Sequence, residues 1–189
     1  MKARSVFAAL ALVSIVSISF QRPLSAQEVT SKDAATVIKT GFVADLEELE
    51  GKFVGLAEAI PQDKYTWRPM EGVRSVSEVL MLAASEGYSF IPSSFGAKPA
   101  DLGTREESAK IRATTDKAQI IEHLKKSFAY AKQQVGALDG STLTGRRKVM
   151  GIDMSVTQTA DHIAGDLHEH LGQLIAYARM NHVVPPWSK

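Results

Sequence analysis

Four stretches of this 189-residue chain repeat apolar side chains every three or four positions, and that periodicity constrains the fold more than any other feature. The first starts near Thr30, with Asp33 as a weak capping residue. It carries Ile38, Phe42, Leu46, Leu49, Phe53, Leu56 and Ile60 on one face until Pro61 stops it. The second opens on the pair Ser75 and Glu78, the spacing of a capping box, and turns Val76, Val79, Leu80, Ala83, Gly87 and Phe90 inward. The third opens at Asp116 with Gln119 and places Ile121, Leu124, Phe128, Ala131, Val135 and Leu138 in register up to Gly140. The fourth opens at Ser155 with Gln158 and continues through Val156, Ala160, Ile163, Leu167, Leu171, Leu174 and Ala178.

No strand pattern competes with these periods, so the expected class is all-α: a four-helix bundle in one domain. The link from Ser94 to Thr115 is long and polar enough to recross the length of a bundle. A long crossover between the second and third helices is therefore expected, rather than a tight hairpin.

The first 26 residues read differently. Lys2 and Arg4 precede an apolar run from Val6 to Phe20, and Ser25-Ala26 supplies small residues before Gln27. This is the layout of a secretory signal peptide, with a run short for a stable membrane span. The expectation is a signal over 1–26, a bundle domain over 27–189, and a periplasmic or secreted location with no membrane association after cleavage. No cysteine follows the apolar run, which excludes a lipid-anchored lipoprotein.

Losing Lys2, Arg4 and Arg22 with the signal leaves 19 basic against 21 acidic residues. Such a balance, without a basic stripe, argues against a nucleic-acid partner. The absence of cysteine also removes thiol nucleophiles, disulfides and thiolate metal sites, so any chemistry rests on oxygen and imidazole groups.

The fourth helix holds the side chains of interest. His162, Asp166 and His170 follow one another at intervals of four. With 3.6 residues per turn, His170 lies about 60° from the centre of the apolar stripe, Asp166 about 100° and His162 about 140°. Neighbours four apart can share an ion, but residues eight apart are separated by a rise of about 12 Å and cannot. Burial favours Asp166 with His170 as the pair. The competing reading is a partly buried His170 bonded to a neighbouring helix, with Asp166 as a surface charge. His168 falls on the opposite shoulder, His123 is expected in solvent, and His182 is expected to serve the carbonyls at the helix end.

Trp67-Arg68-Pro69, the run Gly72 to Glu78, and His168-Glu169-His170-Leu171-Gly172-Gln173 before Tyr177, Arg179, Asn181 and Pro185-Pro186 together resemble the DinB-like (DinB/YfiT) superfamily. The likeness spans the chain after residue 26. It implies a divalent metal such as zinc or nickel, held at one end of the bundle by three histidines. One comes from the second helix and two, four apart, from the fourth. Carried onto this chain, the last histidine is His170, the one before it is replaced by Asp166, and the second-helix position is Leu82. Leucine offers no lone pair. Glu86, one turn further, would reach the site only if the geometry shifted. The resemblance thus implies one intact ligand, one substituted and one lost, and at most a weakly bound metal.

Glu78 is read first as the closing residue of a capping box, and Trp67 and Trp187 as packing residues. Two functions follow. One is an exported bundle, homodimeric through helix faces as relatives often are, that binds a small molecule or a partner in a pocket lined by Leu82, Asp166 and His170. The other is a metal-dependent hydrolase or transferase. The resemblance also implies intracellular thiol-dependent chemistry for known relatives, and an exported chain would not share that thiol pool.

Overall fold

The computed structural model describes residues 28–188. The expected signal segment lies outside the described residues. Among those described, no helix is long and apolar enough to cross a membrane.

The chain is mostly helical. Helix α1 runs Lys32–Ala59, α2 Val76–Ser85, α3 Ile91–Ser94, α4 Arg105–Arg112, α5 Lys117–Gly136 and α6 Val156–Met180. A π-helical turn, Glu86–Phe90, joins α2 directly to α3. Between α5 and α6 lies an antiparallel hairpin of β1 (Arg146–Val149) and β2 (Ile152–Ser155), paired Arg146 to Ser155 and Val149 to Ile152.

The helix starts follow the side chains that cap them. Ser75 and Ser155 each accept from the backbone N–H three residues on, while Glu78 and Gln158 reach back to the cap N–H. Asp116 accepts from the Gln119 N–H at 2.8 Å. The first helix differs from expectation: Ser31, not Thr30, is its cap, accepting from the Ala34 N–H. Helix ends leave carbonyls without partners, and lysines from other helices supply donors. Lys117 Nζ donates to the Glu58 and Ile60 carbonyls at the end of α1, and Lys39 Nζ to Gly136 and Leu138 at the end of α5.

The apolar faces meet in one core. Helices α1 and α2 each pack against both α5 and α6. Leu46, Leu49 and Phe53 from α1, Val79 and Leu80 from α2, Leu124 and Phe128 from α5, and Leu167 and Leu174 from α6 are all fully buried. Each such side chain contributes about 1.5–3 kcal/mol by leaving water. Tyr65 is buried with them, its hydroxyl donating to the Ala57 carbonyl at 2.6 Å.

Two features depart from the sequence expectation. The link after α3 is not a plain polar strap: Thr104 and Glu107 form a capping box and start α4 within it. The hairpin was also unexpected. Its two-residue turn, Met150-Gly151, has positive φ at both positions (50° and 82°), the geometry that lets two strands turn back with their natural twist. Arg147 fixes the hairpin to the end of α3, donating to the Phe95 and Thr142 carbonyls.

Candidate metal centre

Helix α2 reaches the site by way of its irregularity. Beyond Ser85 the helix widens into the π turn, and Gly87 is pressed against α5 there. A Cβ at Gly87 would stand 2.9 Å from the Ser127 backbone and Cβ, closer than any side chain tolerates. Ser85 and Ser89 hydroxyls bond back to the Met81 and Ser85 carbonyls, a pattern that bends helices. The π turn carries Glu86 inward, 8% exposed, to face α6.

On α6, Asp166 and His170 stand one turn apart on the same face. His170 Nε2 lies 3.4 Å from Glu86 Oε1 and 3.7 Å from Asp166 Oδ1. One donor atom from each of Glu86, Asp166 and His170 lies within 4.8 Å of the others. A divalent ion sits about 2.0–2.2 Å from such donors. Three atoms this close can therefore close on one ion by side-chain rotation alone, leaving further positions for water or a ligand.

The electrostatics fit a cation. Burial, the largest influence, raises the Glu86 carboxyl above its ordinary value, and the Asp166 charge pushes the same way while His170 opposes. The Glu86 carboxylate, reaching for the Nε2 proton, raises His170 above its ordinary 6.5 against the cost of burial; Asp166 adds to the rise and Arg74 opposes it. Two carboxylates and one imidazole thus share a half-closed space in which positive charge is favoured.

The other sequence candidates separate cleanly from this cluster. His162 is exposed and lines an open depression with Asp161, Gly165, Asp166 and Glu169. His168 Nε2 contacts Asp45 Oδ1 at 3.2 Å on another face. His182 adopts a left-handed backbone (φ 59°) just past α6, and its N–H bonds the Arg179 carbonyl. His123 corrects the expectation of a solvated side chain. It is half-buried, its Nδ1 lies 3.2 Å from the Tyr88 hydroxyl, and burial lowers its pKa.

Leu82 stands one helical turn before Glu86. It lines a neighbouring cleft with Arg74, Glu78, Met81, Ser85 and Arg112. From the sequence, Glu86 reaches the site only if the geometry shifts, and the structure brings it there. The signal for it was a lone acid on an otherwise apolar helical face, and the π turn supplies the departure from regularity that brings it in.

The segments around the cluster are locked together. Trp67 packs edge-on against Tyr177 at 5.3 Å between ring centres. The Tyr177 hydroxyl accepts from Gln173 at 2.7 Å and donates to the Arg74 carbonyl at 3.0 Å, tying the 67–75 segment to α6. Glu78, besides closing its cap, pairs with Arg68 at 3.1 Å.

A family model described as the DinB superfamily matches residues 45–174, more than half of the chain, including Trp67, Glu86, Asp166, His170 and Gln173. The chain belongs to the DinB superfamily. No curated protein and no solved structure matches it. In this DinB-superfamily chain, Trp67 and Gln173 hold segments together through Tyr177, while the chemistry-bearing groups gather at Glu86, Asp166 and His170.

Proposed function

We propose that this chain is an exported DinB-superfamily protein that binds a small molecule or partner beside an exchangeable divalent-cation site. In this reading residues 1–26 are a signal peptide, and the mature protein works in the periplasm or outside the cell as a homodimer built through helix faces. Its architecture is a four-helix bundle with a long crossover between the second and third long helices.

The observation that carries the reading is the convergence of Glu86, Asp166 and His170 within 4.8 Å, from two different segments. The donor set is two hard carboxylate oxygens and one imidazole. Imidazole suits zinc and nickel, whereas carboxylates also admit manganese or magnesium, so binding is moderate and exchangeable rather than selective. Glu86 replaces, by a different route, the ligand that Leu82 cannot provide.

A second reading, a metal-dependent hydrolase or transferase, draws on the same count, because catalytic sites commonly combine three protein ligands with an open position. A bound metal would supply Lewis acidity and an acidified water there. Glu86, Asp166 and His170 would hold it, and the Trp67–Tyr177 contact would keep the adjoining segment in place.

The experiment is metal analysis of the protein purified without a histidine tag. After dialysis, zinc, nickel and manganese are titrated by calorimetry into the wild type and into His170→Ala. Binding of one equivalent, lost in His170→Ala, supports the site. Tight stoichiometric zinc surviving dialysis, together with hydrolysis of ester or amide probes, would favour the enzyme. No saturable binding would reject both readings of the cluster.

A further inference from the structure

The cleft next to the cluster has a different chemistry. It is an open cleft of about 260 Å³ between α2 and α4. Met81 and Leu82 form its apolar lining, and Arg74 and Arg112 flank it. The only acid in the lining, Glu78, is already engaged: its carboxylate accepts from the Ser75 N–H at 2.6 Å and pairs with Arg68 at 3.1 Å. Among the described residues neither Arg74 nor Arg112 has a carboxylate partner within ion-pair distance. The cleft is therefore an apolar pocket with two uncommitted guanidinium groups at its edge.

We propose that this cleft binds a small apolar carboxylate, with its hydrocarbon part over Met81 and Leu82 and its carboxylate between Arg74 and Arg112. Guanidinium groups present donors in a planar fork that matches a carboxylate, and such charge-assisted bonds are stronger than neutral ones. The cavity lies just below the roughly 300–1,000 Å³ of drug-sized sites, so the ligand is a compact ring or a short branched chain. Leu82 supplies the apolar wall this ligand needs. The proposal deepens the small-molecule-binding function above by naming a ligand class, and it does not depend on cation binding. Arg74 links the two places, since its charge is also felt at His170.

The test uses the purified protein stripped of metal with EDTA, with its methionine and leucine methyl groups followed by NMR. Phenylacetate is the probe, and phenylacetamide, which has the same ring and no charge, is the control. The expected result is saturable movement of the Met81 and Leu82 methyl signals with phenylacetate. Phenylacetamide, and phenylacetate with Arg74→Gln or Arg112→Gln, should bind about tenfold more weakly. Both arginines are exposed, so these variants keep the fold, which the unchanged methyl signals of buried Leu124 and Leu174 verify. Equal binding of acid and amide, unaltered affinity in both variants, or no saturable shift at Met81 and Leu82 would overturn the proposal. Because no metal is present, none of these outcomes bears on the cation site, whose own titration stands or fails separately.

Discussion

Glu86 Oε1 and His170 Nε2 approach to 3.4 Å from two segments that are 84 positions apart in sequence, with side chains only 11% and 12% exposed. The contact makes His170 sensitive to charge. Its pKa is raised above 6.5, first by Glu86, with Asp166 assisting. A group whose folded value lies above its unfolded value stabilises the fold fully below the unfolded value and loses that contribution as pH rises through the folded one. Glu86, raised above 4.5 by burial, acts in the same direction at lower pH. Stability should therefore fall as pH climbs past 6.5 through the His170 midpoint, and His170→Gln should flatten that limb. Proton NMR titration checks the assignment directly: His170 should titrate above 6.5 and the half-buried His123 below it. The reverse order would contradict the electrostatic account of the cluster.

The π turn depends on the absence of a side chain at Gly87. Gly87→Ala forces a methyl group against the Ser127 backbone. Overpacking of this kind costs about 1–3 kcal/mol. Because Glu86 is the adjacent residue, the displacement should also weaken cation binding. Urea denaturation and calorimetry on the same variant should show both effects; lost stability with unchanged cation affinity would detach Glu86 from the site.

What the sequence disclosed depended on how local the cause was. Ser75, Asp116 and Ser155 were readable as helix starts because a cap bonds within three residues of itself. Asp166 and His170 were readable as a pair because one helical turn fixes their spacing. Glu86 was only half readable, since the turn that brings it inward is set by Gly87 meeting Ser127, some 40 residues away in sequence. The hairpin was hidden for a different reason. Its turn is Met150-Gly151, and a methionine at positive φ lacks the Asn-Gly or Asp-Gly signature by which such turns are recognised.

Glu78 separates a cap from a ligand. Its carboxyl is held below the ordinary range, chiefly by the Ser75 backbone N–H. Replacing Ser75 or Glu78 by alanine should lower stability by about 1 kcal/mol, measured by thermal or urea unfolding. Cation affinity should be unaltered in both. A large loss of cation binding in Glu78→Ala would show that the carboxylate serves the site instead.

The Tyr177 hydroxyl joins Gln173 to the Arg74 carbonyl. Tyr177→Phe keeps the edge contact with Trp67 but removes both hydrogen bonds, at a cost of about 1 kcal/mol. Amide exchange should speed up between Trp67 and Ser75 and stay unchanged within α5. Uniform acceleration across the molecule would mean that the tie is not local.

Leu82 lies one helical turn before Glu86, so Leu82→His places an imidazole four residues from a donor of the cluster. Zinc or nickel should then bind at least tenfold more tightly by competition with a chelating dye. An unchanged affinity would show that Leu82 projects into its own cleft alone, whatever its place in the family pattern.

Glu86, Asp166 and His170 each bring one donor atom within 4.8 Å of the others. Whether the three act as one cation site is decided by a calorimetric titration of zinc and manganese into metal-free wild type, Glu86→Gln, Asp166→Asn and His170→Gln at a pH above the His170 midpoint. One saturable site in the wild type, weakened at least tenfold by each of the three substitutions, is the expected result. Binding that survives Glu86→Gln unchanged would contradict it.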